Sequence, residues 1–212
     1  MLKRILASLG AVIALTLSAT AAQAITMQFT NGKYDSGAYH YSEGGYDLTA
    51  SANFGGNHGG YFGQSSSSGL YVTSYKCSAH KYHCYSDNHQ IDGYKKSESI
   101  TLTFNQEVSL QSVYFNYVGY DDDFSIMADA GPNSVFDIVG GNRYDSDSGY
   151  YDFADGGLVG TVFTIAAPYY DDDFKLAGLQ FSPVSAVPLP PAVLMFGAAL
   201  IGLGVLKRRK QV

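Results

Sequence analysis

Between Ser99 and Tyr117 the chain alternates apolar and polar side chains with a period of two. Ile100, Leu102 and Phe104 alternate with Thr101 and Thr103. Val108 and Leu110 continue the pattern, and Val113, Phe115 and Tyr117 resume it after a one-residue shift at Ser112 that reads as a β-bulge. Such a period buries one side of an extended strand and leaves the other outside. No stretch of the interior sustains a helical period. Val135–Val139, Val159–Ala166 and Leu176–Phe181 are further expected strands, with weaker signals at Ile25–Phe29, Tyr46–Phe54 and Leu70–Thr73. The 24 glycines and 18 tyrosines, with no tryptophan, suit short strands and many turns. An all-β fold is therefore expected over residues 25–182, with about eight to ten strands arranged as a jelly-roll-like β-sandwich.

Charge separates the ends from the middle. The chain has 13 Lys+Arg and 19 Asp+Glu, and every acid lies between Asp35 and Asp173. Six of the bases are terminal: Lys3, Arg4, Lys207, Arg208, Arg209 and Lys210. Seven bases then face 19 acids, leaving the middle at −12. That excludes nucleic-acid binding through a basic surface, which needs clustered Lys and Arg to neutralise phosphates.

Both ends read as addresses. Residues 1–24 have the form of a signal peptide: Lys3-Arg4, an apolar run from Ile5 to Ala19, and small residues at Ala22 and Ala24 for signal peptidase. Cleavage after Ala24 is expected; an uncleaved anchor is the alternative. Residues 183–191 form a Pro-rich linker containing Val187, Pro188, Leu189, Pro190 and Pro191. Residues 192–206 are uncharged and apolar, and are expected to form a transmembrane helix. As a helix they span about 22 Å, short of a ~30 Å hydrocarbon core unless flanking residues help. Residues 207–212 carry the basic cluster, which is expected to stay cytoplasmic and leave the acidic middle outside the inner membrane.

This Pro box, apolar helix and basic tail together resemble the PEP-CTERM sorting signal, in its Val-Pro-Leu-Pro-Ala variant. Pro191 stands where the variant has Ala. The resemblance implies cutting by exosortase, an inner-membrane intermediate, and delivery to the cell surface or extracellular matrix. It implies a structural protein associated with exopolysaccharide. Residues 87–93, 99–110 and the two Asp-Asp-Asp-Phe stretches are also similar to domains found ahead of such signals, which implies a β-sandwich.

The interior contains an echo. Tyr120-Asp121-Asp122-Asp123-Phe124 matches Tyr170-Asp171-Asp172-Asp173-Phe174, each copy lying between two apolar runs. Three consecutive carboxylates repel unless solvated or neutralised, and Ca²⁺ would neutralise them with oxygen ligands. Asp121, Asp123, Asp171 and Asp173 are the candidate ligands. Asp92 with Glu98, and the loop Asp145–Gly149, are further oxygen-rich candidates. Solvated turns that protect sheet edges are the alternative. Cys77 and Cys84 are expected to form a disulfide worth about 2.5 kcal/mol. Cys77, His80, His83, Cys84 and His89 could instead hold zinc, although adjacent His83 and Cys84 fit one tetrahedron poorly.

No motif for a nucleophile, metalloprotease or phosphate loop is present, so no catalytic residue is assigned and a non-enzymatic role is expected. Tyr150-Tyr151 and Tyr169-Tyr170 could stack on sugars. That leaves a calcium-dependent carbohydrate-binding module as the second functional class, and an Asp-based polysaccharide hydrolase as the third.

Overall fold

A computed structural model describes residues 23–184, except 56–59, 78–83, 87–88, 95–96, 130, 143–146 and 155. The strands, in chain order, are β1 Ile25–Gln28, β2 Lys33–Asp35, β3 Ala38–Glu43, β4 Tyr46–Asn53 and β5 Gly60–Ser65. They continue with β6 Gly69–Cys77, β7 Cys84–Ser86, β8 Ile91–Asp92, β9 Ser99–Val118 and β10 Asp123–Ala128. The last five are β11 Ser134–Asp137, β12 Val139–Gly140, β13 Asp147–Asp152, β14 Leu158–Ala166 and β15 Asp173–Pro183.

The strand β9, 20 residues long, organises the fold. Its first part pairs with β4 over Ser99–Phe104 and with β14 over Ser99–Leu110. Its last part pairs with β15 over Val108–Asn116 and with β13 over Ser112–Val118. The strand thus exchanges both neighbours along its length without breaking. Leu110 faces Phe181 and Ser112 faces Gln180, so Gln111 is the extra residue of a bulge, one position before the shift read from the sequence.

The expected jelly-roll-like β-sandwich is corrected by this continuity. The strands are mostly antiparallel and join into one hydrogen-bonded network of 15, along the path β11-β10-β14-β9-β15-β6-β5 with side branches. They form neither a closed barrel nor two separate stacked sheets, because β9 carries the ladder through the point where a sandwich would divide. Alternation shows which residues are inside but not where a strand changes partners.

Ile100, Leu102, Leu110, Val113 and Phe115 of β9 are fully buried or nearly so. Phe115 lies between Phe124 and Phe174, with ring centroids 4.9 and 5.0 Å away. β1 closes one edge by running antiparallel to β15, with Ile25 opposite Phe181 and Gln28 opposite Gly178.

The expected transmembrane helix is also corrected: among the described residues no helix is long and apolar enough to cross a membrane. Residues 192–206, where it was expected, lie outside the described residues, as do 185–191 and 207–212.

Candidate functional site

The two Asp-Asp-Asp-Phe copies meet at one end of the network. Each copy enters a strand at its third Asp, β10 at Asp123 and β15 at Asp173. Each has an acidic cross-strand neighbour: Asp123 faces Asp137 of β11, and Asp173 faces Asp92 of β8. The preceding residues, Phe136 and Ile91, face Phe124 and Phe174 in the same registers. Backbone bonds repeat as well. Ile138 N–H donates to the Asp122 carbonyl at 3.1 Å, and Gly93 N–H donates to the Asp172 carbonyl at 3.0 Å.

The middle aspartates hold this arrangement. Asp122 and Asp172 are 5% and 2% exposed, the least accessible acids of their turns. Asp122 Oδ2 accepts the N–H of Gly119 at 2.5 Å, and Asp172 Oδ2 accepts that of Tyr169 at 2.7 Å. The other oxygen of each carboxylate crosses to the opposite turn. Asp122 Oδ1 accepts the N–H of Asp173 at 3.1 Å, and Asp172 Oδ1 accepts that of Asp123 at 2.9 Å. Four backbone donors thus stabilise two buried charges, and each turn is fastened by the other's side chain.

The outer acids differ. Asp121 and Asp171 are exposed and make no side-chain hydrogen bond among the described residues. Asp123 is half-buried, and its carboxyl is pushed up to about 6. Desolvation is the main cause, followed by the hydrogen bond with the Asp137 carboxyl and repulsion from Asp172, Asp137 and Asp171. Burial also raises the Asp172 carboxyl, against the lowering effect of the N–H bonds from Asp123 and Tyr169. Asp173 Oδ1 accepts Gln90 Nε2 at 2.5 Å.

Aromatic rings border these acids. Tyr120, Tyr169 and Tyr170 are 74%, 53% and 65% exposed. Tyr170 leans on Tyr94, with centroids 4.6 Å apart. Tyr117 faces the ammonium of Lys175, whose Nζ lies 4.1 Å from the ring centroid. Desolvation lowers the Lys175 pKa.

The structure brings the four calcium candidates Asp121, Asp123, Asp171 and Asp173 into one neighbourhood. Yet no three or more His, Cys, Asp or Glu side chains among the described residues form a group that could hold a metal ion. Asp92 and Glu98 are adjacent: Asp92 N–H reaches Glu98 Oε2 at 3.3 Å, and Glu98 N–H reaches the Asp92 carbonyl at 3.0 Å. Glu98 is fully buried and accepts the Ser74 hydroxyl. In the Asp145–Gly149 loop, residues 145 and 146 lie outside the described residues, and Asp147 Oδ1 accepts the N–H of Ser148. Tyr150 is exposed, whereas Tyr151 packs on Phe136 at 4.6 Å.

Cys77 and Cys84 stand opposite each other in the β6–β7 register. The expected disulfide is not found among the described residues, and the side chains of both cysteines lie outside them. His80 and His83 of the zinc alternative also lie outside. His89 sits among rings, 5.7 Å from Tyr61 and 5.4 Å from Tyr71. Ala24 is described and exposed, immediately before β1, while Ala22 is outside the described residues.

Sequence reasoning selected the outer acids and missed the bracing pair. One local signal was available. Gly119 to Asp122 and Tyr169 to Asp172 both have the spacing at which an Asp side chain can bond a backbone N–H three residues earlier.

The chain matches no protein-family profile, no curated protein and no solved structure. The reading as an exported surface or matrix structural protein, sorted by exosortase from an inner-membrane intermediate, is corrected accordingly. No family match supports it, and no helix among the described residues is long and apolar enough for the anchor. The sorting-signal residues Val187 to Pro191 and Lys207 to Lys210 lie outside the described residues. The calcium-dependent carbohydrate module drew on exposed tyrosines and the outer acids, and the Asp-based hydrolase on paired aspartates; no group of three or more acids among the described residues could hold a metal ion. Backbone N–H groups occupy both oxygens of each middle aspartate, Asp122 and Asp172.

Proposed function

We propose that this domain is a non-catalytic binding module whose tyrosine-bordered acidic end engages a cationic segment of a partner. One observation supports the reading above the rest: Asp121 and Asp171 stand exposed and unpartnered beside Tyr120, Tyr169 and Tyr170, on turns cross-fastened by Asp122 and Asp172. Carboxylates attract ammonium and guanidinium groups, and exposed ring faces add cation–π attraction of about 0.5–1 kcal/mol each. The bracing fixes these groups before a ligand arrives, which reduces the ordering cost of binding.

The test is calorimetric binding of deca-lysine and deca-arginine to the full chain. A chain this acidic attracts any polycation weakly, so the control removes equal charge elsewhere. D121N/D171N should weaken binding roughly five- to tenfold, and Y120A/Y170A similarly, through two exposed contacts worth up to about 1 kcal/mol each. D35N/E43Q, at the exposed Asp35 and Glu43, should change it by less than about twofold. Equal losses from the two charge-matched pairs would reduce the attraction to net charge and remove the proposal.

A further inference from the structure

Beside the acidic end, β4, β9, β14 and β10 present a face of small hydroxyl side chains. Cross-strand registers align Thr49 with Thr103, Ser51 with Thr101, and Thr101 with Thr164. Residues aligned this way share one side of the sheet, about 4.8 Å apart across strands and about 6.7 Å apart along them. The opposite side carries Ile100, Leu102, Phe163 and Ile165 into the core.

At one end this face deepens into an open groove of about 370 Å³, within the ~300–1,000 Å³ range of small-ligand sites. Ser97, Ser99, Ser125 and Thr164 line it with hydroxyls, and Asn133 adds a carboxamide. Met127, Ala166 and Pro168 also line it. None of these residues carries a formal charge, in a chain whose middle is strongly anionic.

The hydroxyl protons are partly committed. Ser97 Oγ donates to the Ala167 carbonyl, and Ser125 Oγ donates to the Ala166 carbonyl at 3.3 Å. Thr101 and Thr164 hydroxyls lie 3.2 Å apart and share a bond. Each committed hydroxyl oxygen keeps acceptor capacity, although Ser99 and Ser125 are themselves buried, and Asn133 contributes both donor and acceptor capacity.

We propose that this groove binds a neutral polyhydroxylated chain, an uncharged oligosaccharide, without a metal ion. Such a ligand donates hydroxyl protons to the serine and threonine oxygens. It lays the C–H face of a ring on Met127, Ala166 and Pro168. The flat hydroxyl rows continuing toward β4 give an extended chain further contacts. A cationic ligand finds no carboxylate among the described lining residues, and an anionic one meets the repulsion of the acidic middle of the chain. The groove abuts the acidic end, Pro168 and Ser125 lying one and two residues from Tyr169 and Asp123, but it shares no lining residue with the acidic turns, and the proposal is independent of the reading given to them.

The test titrates maltohexaose, cellohexaose and isomaltohexaose into the full chain in the presence of chelator. At least one should bind. T164V/N133A removes polar contacts while T164V keeps the side-chain shape, and should weaken that binding about tenfold. A166W fills the groove from a half-buried position in its lining and should abolish binding, with the thermal midpoint of each variant confirming folding. D121N/D171N should leave sugar affinity unchanged. Failure of all three sugars to bind overturns the proposal, as does binding indifferent to A166W. Loss of sugar binding in D121N/D171N would place the ligand at the acidic turns and equally overturn it.

Discussion

At the scale of single residues, Asp122 and Asp172 matter most because each accepts two backbone N–H groups from different turns. Alanine at either position leaves two donors without their charged acceptor. D122A and D172A should each cost roughly 2–4 kcal/mol, read as a lower urea midpoint with little change in slope. The double variant should cost less than the two singles together, since each single already loosens the shared junction. D121A and D171A, made at exposed positions, should stay within about 0.5 kcal/mol of the parent. The acidic echo was legible from the sequence, but the division of labour within each triplet was not. Half of it, the bond from each middle Asp to an N–H three residues earlier, is local; the crossing half depends on two turns 50 residues apart becoming neighbours, and no local pattern encodes that.

Asp123 gives a pH prediction of definite sign. Its folded-state value of about 6 lies above the ordinary carboxylate value of 3.8. The protonated form is thus favoured by folding. Its stabilising contribution is complete below the unfolded value and is lost as pH rises through about 6. D137N removes the carboxyl partner but not the desolvation. The Asp123 carboxyl should then titrate lower, though still above the ordinary value, in carbon-detected NMR. Stability should fall less between pH 4 and pH 6 than in the parent. An unchanged titration would show that the two carboxyls do not interact.

Among the elements, β9 and the short strand β8 carry the strongest constraints. Phe115 of β9 separates the two phenylalanines that follow the acidic triplets, so F115A should cost about 3–5 kcal/mol and loosen both turns together. Gly93, just after β8, has its N–H on the Asp172 carbonyl, and a Cβ there would lie 1.5 Å from the Tyr169 carbonyl oxygen. G93A must push the second turn aside. It should cost at least about 1–3 kcal/mol in a urea melt and shift the amide resonances of Tyr169–Asp173 more than those of Tyr120–Asp123. Alternation marked β9, β14 and most of β15, whereas β13 begins at Asp147 inside the stretch read as an oxygen-rich loop. β8 went unmarked, because two residues are too few to show a period, and its position is set by the acidic strand opposite.

On the scale of the whole molecule, the ladders connect distant parts of the sequence. β1 pairs with β15, and β4 with β9. Such non-local pairing predicts refolding in milliseconds to seconds, measurable by stopped-flow tyrosine fluorescence. The all-β character was evident from sequence because period-two burial is a local property. The single continuous network was not, because the partners of β9 are chosen by closure across the entire chain.

The pairing of β1 with β15 also has a mechanical meaning. Ile25 lies opposite Phe181, so the first and last strands begin and finish at the same corner. A pull on that corner opens the four cross-strand pairs of β1 one after another, as a zip rather than a shear joint, and little of the load passes through the body. From Phe181 at that corner β15 reaches Asp173 at the acidic end, about 26 Å away at the usual rise per residue. Suspended by its two neighbouring ends, the domain would hang like a pendant, with its tyrosines and exposed aspartates at the far tip.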